Sequence, residues 1–217
     1  MTTVRINKAH YPVTTLGPGR RIGIWFQGCS LGCVGCVSLD TWDASGGAEM
    51  KVSDLLAWCQ AVTEEEGLDG ITISGGEPFE QPHSLKYLLE ALNAWRKDSA
   101  LEFDIFCYSG LPLKKLESIH GDILPFIDIL CPEPYSSNRQ GMVKWRGSEN
   151  QPLIGLTERG RKIAQIVADT PVQKHFQLDV SNGRVWFIGI PDKNDMERLE
   201  CLSADRGLVL SNVSWRA

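Results

Sequence analysis

"RRIGIWFQGCSLGCVGC" (residues 20–36) runs an apolar segment straight into a loop that carries three thiols. Residues 20–28 read as a strand that delivers the chain to Cys29, Cys33 and Cys36. The segments that follow alternate in period. Leu55, Trp58, Cys59 and Val62 share one helical face, which predicts a helix over 52–67 with Ser53 as N-cap and Gly67 as stop. "GITISGG" (70–76) is a short buried strand ending in glycines, and Leu85, Leu88, Leu89, Leu92 and Trp95 mark a helix over 84–98. A third strand over 103–110, a short helix over 112–119 and a fourth strand over 126–131 continue the series. Strands alternating with helices imply right-handed crossovers and an α/β fold with a mostly parallel sheet covered on both faces.

In such sheets function gathers at the carboxyl ends of the strands. The cysteine loop, "SGGEP" (74–78), "CYSG" (107–110) and "CPEPYSSN" (131–138) each follow a predicted strand, so they converge on one rim. The pattern changes after a helix at 157–168. "HFQLDV" and "RVWFIGI" flank the turn-forming "SNG" as a hairpin, with a helix over 194–205 and a strand "GLVLSNV" behind them. Residues 1–170 are therefore expected to form the core domain, and 171–217 a small C-terminal α+β appendage.

Composition narrows the chemistry. The chain has 217 residues and a net charge of −5, without a basic run, so neither nucleic acid nor a membrane surface is an expected partner. The N-terminus has no signal-like apolar core and no stretch is apolar enough to span a bilayer, which places the protein in the cytoplasm. Seven cysteines, three of them clustered, favour metal or redox chemistry over a disulfide framework. Cys59, Cys107, Cys131 and Cys201 lie scattered among mostly apolar neighbours and are expected to be small core residues. The histidines at 10, 83, 120 and 175 are isolated and receive no catalytic part.

Three thiols at spacings of four and three, with no nearby histidine, suit tetrahedral zinc poorly. A cubane iron-sulfur cluster normally takes four cysteines, so a three-cysteine loop leaves one iron open to another molecule. Gly28, Gly32 and Gly35 let the backbone wrap closely around such a cluster.

CxxxCxxC over Cys29–Cys36, followed by "SGGEP", resembles the radical S-adenosylmethionine (radical SAM) superfamily. Within it the chain is similar to the activating proteins of anaerobic ribonucleotide reductase. That similarity rests on "GPGRRIGIWFQGC" (17–29), "GCVSLDTWD" (35–43), "SGGEPFEQP" (74–82), "CYSGLPLKKL" (107–116) and "KWRGSENQ" (144–151), and spans about residues 10–152. The resemblance implies a partial (β/α) barrel with an open side, a [4Fe-4S] cluster held by Cys29, Cys33 and Cys36, and S-adenosylmethionine on the open iron. Reductive cleavage would give methionine and a 5'-deoxyadenosyl radical. The substrate would be a larger protein, a glycyl-radical enzyme, with flavodoxin or ferredoxin as reductant. Gly75 and Gly76 would present bare backbone, Glu77 beside Pro78 would fix the ligand's amino group, and Ser109 and Gly110 would lie near its ribose.

Arg146 and Asn150 of "WRGSENQ" read equally as loop supports, and Tyr108 as a core aromatic. Three features depart from the family. Val37 stands where relatives carry an aromatic, Glu133 stands where they tend to have glycine, and residues 156–217 extend past the usual end. The extension keeps open a different peptide or small-molecule substrate, with the hairpin offering an edge strand, and a non-catalytic iron-sulfur protein.

Overall fold

A computed structural model describes residues 2–99, 101–169, 175–181 and 184–216. In chain order the first half holds β1 (Thr3–Val13), β2 (Arg21–Phe26), β3 (Ala48–Lys51), α1 (Val52–Thr63), β4 (Gly70–Gly75) and α2 (Pro82–Ser99). The second half holds β5 (Asp104–Tyr108), α3 (Leu113–His120), β6 (Ile129–Cys131), β7 (Ile154–Gly155) and α4 (Glu158–Asp169). A hairpin of β8 (Gln177–Ser181) and β9 (Arg184–Ile188) and a last helix α5 (Asp195–Ala204) complete it. The expected boundary at 170/171 and the turn residues Asn182 and Gly183 lie outside the described residues.

Seven strands form one mixed sheet in the order β3-β1-β2-β4-β5-β6-β7. The four strands read from the sequence are its parallel centre, while β1, β3 and β7 add antiparallel pairings at the edges. The long β1 escaped the pattern because its inward alternation at Val4 and Ile6 breaks in the bulged stretch beyond. α1 begins at Val52, one residue before the expected cap, so Ser53 lies inside the helix and bonds Asp54 instead. Its C-terminal stop is as expected: Gly67 takes φ 79° and donates its N–H to the Thr63 carbonyl. No strand forms over 207–213; that segment finds no ladder partner, and Leu208 and Val209 stand exposed.

Side-chain alternation sorts the sheet into two faces. Ile22, Ile24, Phe26, Ile71, Ile73, Ile105, Cys107 and Leu130 face outward into one apolar core against Leu55 and Cys59 of α1, four leucines of α2 and Leu116 of α3. Helices were expected on both faces. The inner face instead carries α4 only at its β5–β6 end, where Ile163 packs on Phe106, Ile129 and Cys131. At the β1–β2 end it carries the hairpin, with Ile188 and Trp186 against Val13, Leu16 and Trp25. His10 stacks on Trp186 at 4.6 Å, and its Nε2 lies 3.4 Å from Asp179.

Beneath the strand-end loops the inner face is polar and closed. Arg21, Gly70 and Asp104 are in register across β2, β4 and β5. Gly70 has no side chain, so the Arg21 guanidinium lies over it and grips both Asp104 oxygens at 2.9 and 2.6 Å. Thr72 accepts from Arg21 Nε and donates to the Leu16 carbonyl. Cys59, Cys107 and Cys131 are buried as expected, whereas Cys201 on α5 is exposed. No helix among the described residues is long and apolar enough to cross a membrane.

Candidate iron-sulfur and ligand site

The cysteine loop leaves β2 through Gln27, whose buried side-chain amide donates to the Asp40 and Asp43 carbonyls and accepts from Asn7. Gly28, at φ 96°, donates its N–H to the Thr41 carbonyl, and the Cys29 N–H bonds Trp42. Residues 28–42 thus leave and return along one short ladder, which makes "LDTWD" the loop's closing limb. Inside it the Cys36 N–H turns back to Cys33, Gly32 and Gly35 adopt positive φ, and the Ser38 N–H lies 3.4 Å from the Cys36 sulfur. Glu80 accepts from both the N–H and the hydroxyl of Ser30, at 2.8 and 2.6 Å.

"SGGEP" is built against that loop. The Gly76 N–H donates to the Phe26 carbonyl and the Glu77 N–H to the Gly28 carbonyl, each at 2.8 Å. A Cβ on Gly76 would overlap the Gly28 backbone, and one on Gly75 the Phe26 backbone. The double glycine is therefore required by the approach of two main chains. Gly76→Ala must push the strands' ends apart; we expect it to cost about 1–3 kcal/mol in urea unfolding and to lower iron retention, because Cys29 moves with Gly28. Unchanged stability and iron content would show that the loops relax without consequence.

Glu77 is buried at the floor of the site. One oxygen accepts from the Phe79 N–H (3.0 Å) and the Ser109 hydroxyl (2.9 Å), the other from the Gly110 N–H (2.7 Å). Its carboxylate thus ties the β4 loop to the β5 loop, and Pro78 opens the short 3-10 turn that it caps. Burial nevertheless outweighs these three donors and pushes its pKa up to about 7. A carboxyl with a raised folded pKa stabilises the fold while protonated, so this contribution is full below about 4.5 and is lost as pH rises through about 7. Stability of the metal-free protein should fall over that window by up to about 1.4 kcal/mol per pH unit, and Glu77→Gln should flatten the slope. An identical slope in both proteins, followed by urea unfolding, would remove Glu77 as its source.

Cys29, Cys33 and Cys36 line one cavity together with Ser74–Glu77, Tyr108, Ser109 and Gly110. Burial first, then Glu77 and Glu80, pushes the Cys29 thiol up to about 11, and burial beside Cys36 raises Cys33. Such thiols become ligands when a cation displaces their protons. A profile described as a 4Fe-4S single cluster domain matches residues 15–154. The chain belongs to that family.

This 4Fe-4S single cluster protein is similar to the anaerobic ribonucleoside-triphosphate reductase-activating protein of Enterobacteria phage T4, 27% identical over 142 residues covering 65% of this chain and 88% of the relative. The protein of the same name in Vibrio cholerae is 28% identical over 154 residues, 68% of this chain and 96% of that one. Pyruvate formate-lyase 1-activating enzyme of Escherichia coli is 42% identical over 72 residues, 31% of this chain and 28% of the relative. The donor set fits a cluster: three thiols, Cys29, Cys33 and Cys36, wall one cavity.

The remaining family segments of the 4Fe-4S protein frame the same cavity. Gln151 accepts from the Gly147 and Ser148 N–H groups and donates to the Glu133 carbonyl; Asn150 donates to Pro134 and Arg146 to the Gln151 carbonyl. These side chains of "WRGSENQ" hold "CPEPYSS" in place, and Tyr135 lines the same cavity as Cys33. Glu133 has φ 81°, a left-handed backbone that glycine adopts most readily, and its carboxylate accepts from the Leu113 N–H at the start of α3. Glu80, Tyr135 and Gln151 are not singled out by residue in the sequence, yet each lies in a segment that is: "SGGEPFEQP", "CPEPYSSN" and "KWRGSENQ".

Proposed function

We propose that this chain is a radical S-adenosylmethionine enzyme that activates a glycyl-radical enzyme of the anaerobic ribonucleotide reductase kind by removing a hydrogen atom from a glycine. The observation that carries this reading is the single cavity shared by the three cysteines, Ser74–Glu77 and Ser109–Gly110. When bound, the [4Fe-4S] cluster supplies the electron that splits S-adenosylmethionine into methionine and a 5'-deoxyadenosyl radical.

Cys29, Cys33 and Cys36 hold three of the irons. Gly75 and Gly76 bring bare backbone to the ligand, and Pro78 fixes the turn behind them. Glu77 is short of positive charge where it stands, which suits it to the ligand's ammonium group. Ser109 and Gly110, bonded to Glu77, set the ribose side, and the cavity walls keep water from a reactive carbon. Residues 1–170 form the catalytic core in this proposal and 171–217 an appendage to it. A flavodoxin or ferredoxin in the cytoplasm serves as reductant, and neither nucleic acid nor membrane takes part.

Anaerobic reconstitution followed by dithionite and S-adenosylmethionine tests the reading. 5'-Deoxyadenosine should form in the wild type and not in a Cys29, Cys33 and Cys36 triple alanine variant, and a glycyl-radical signal should appear in an added cognate reductase. A fully loaded cluster that yields neither product would sink the proposal.

A further inference from the structure

We infer that the C-terminal appendage completes the ligand cavity, with Ile190 and Pro191 forming the apolar wall on which the nucleoside end of S-adenosylmethionine rests. This builds on the reading above that the cavity holds that ligand. Gly189, Ile190 and Pro191 line the same cavity as the three cysteines, although they lie outside the family match at 15–154. Their position is built in. Ile188 is buried against Val13, Leu16 and Trp25, and Ile190 packs on that cluster. Thr15 donates to the Ile188 carbonyl at 3.0 Å, and Gly189 turns the chain at φ 151°, where a Cβ would crowd the His175 carbonyl.

The far end of the chain grips the other side of the same wall. The Leu39 N–H donates to the Ser214 carbonyl at 2.7 Å, and the Ser214 hydroxyl donates to the Val37 carbonyl at 2.9 Å. The segment after the third cysteine is thus held by the appendage.

Size and chemistry orient the ligand. The cysteine-lined cavity measures about 220 Å³, short of the roughly 300–1,000 Å³ of ordinary ligand sites. A neighbouring cavity of about 680 Å³ shares Leu16, Trp25, Val37, Ser38, Gly189 and Pro191 with it. A ligand whose amino-acid end lies at the cysteines and Glu77 therefore extends along this shared wall. The Glu77 end suits an ammonium; Leu16, Val37 and Pro191 of the shared wall, with Ile190 beside them in the cysteine-lined cavity, suit the flat face of a base. Val37 is small, and Ile190 adds apolar surface to the same lining.

The test uses the full-length, cluster-loaded protein and two probes, S-adenosylmethionine and methionine, the second lacking the nucleoside. Binding is read by equilibrium dialysis and by the change in the reduced cluster's electron paramagnetic resonance spectrum. Ile190→Ser should weaken S-adenosylmethionine about tenfold and leave methionine within about twofold, while Ile190→Phe should retain wild-type affinity. Equal affinity of Ile190→Ser and wild type for S-adenosylmethionine would overturn the inference. Parallel weakening of both probes would overturn it too, by assigning Ile190 to the fold alone. Absence of S-adenosylmethionine binding in the wild type would instead remove the proposed function.

Discussion

Cys33→Ala is expected to carry no iron-sulfur cluster after anaerobic reconstitution, with iron and sulfide at background, while its circular dichroism matches the wild type. The reason is positional. Only Cys29, Cys33 and Cys36 among the seven cysteines face the site cavity; Cys59, Cys107 and Cys131 are buried in the core clusters and Cys201 lies on α5. No spare thiol stands near enough to substitute, and a cluster left with two protein ligands is not retained. Cys59→Ala supplies the contrast: it removes one buried atom between α1 and the sheet, costs about 1 kcal/mol, and leaves the iron content untouched. Equal iron in wild type and Cys33→Ala would overturn the ligand assignment.

Asp104→Ala is expected to lower stability by about 3–5 kcal/mol, the cost of leaving one member of a buried ion pair uncompensated. Arg21 has no exposed surface, and among the described residues Asp104 is its one carboxylate partner, gripped at both oxygens. A loss of that size is a large part of the whole stability of an ordinary domain. Urea unfolding should show a lower midpoint with the slope unchanged. Replacing both members, as in Arg21→Met with Asp104→Leu, should cost less than Asp104→Ala alone, because no charge is then stranded. A single-variant loss below about 1 kcal/mol would mean that water reaches the guanidinium. The pair lies at the strand ends remote from the cysteine loop, so it carries the inner face on which the site is assembled.

Much of this molecule is legible from local pattern. The four parallel strands are short buried runs and the helices between them repeat a period of 3.6, and the faces that meet are apolar, so burial leaves one arrangement open to them. The cysteine spacing and the double glycine were equally plain, since both are short-range demands on a single loop. Elements without such a period were not legible. β1 loses its alternation at a bulge, and "GLVLSNV" has strand composition but no strand to pair with.

Tertiary structure alone decided how the site is held. Glu77 read as a ligand-facing acid, yet its three internal donors come from Phe79, Ser109 and Gly110, two of them more than thirty positions away. The Gly76 amide serves the end of β2, the Glu77 amide the cysteine loop, and Glu133 the start of α3. The wall at Gly189–Pro191 arrives from the far end of the chain. A sequence reports which side chains and backbone torsions are available at each position. Which donor meets which acceptor depends on the crossing of distant segments, and that is settled only when the sheet brings its strand ends onto one rim.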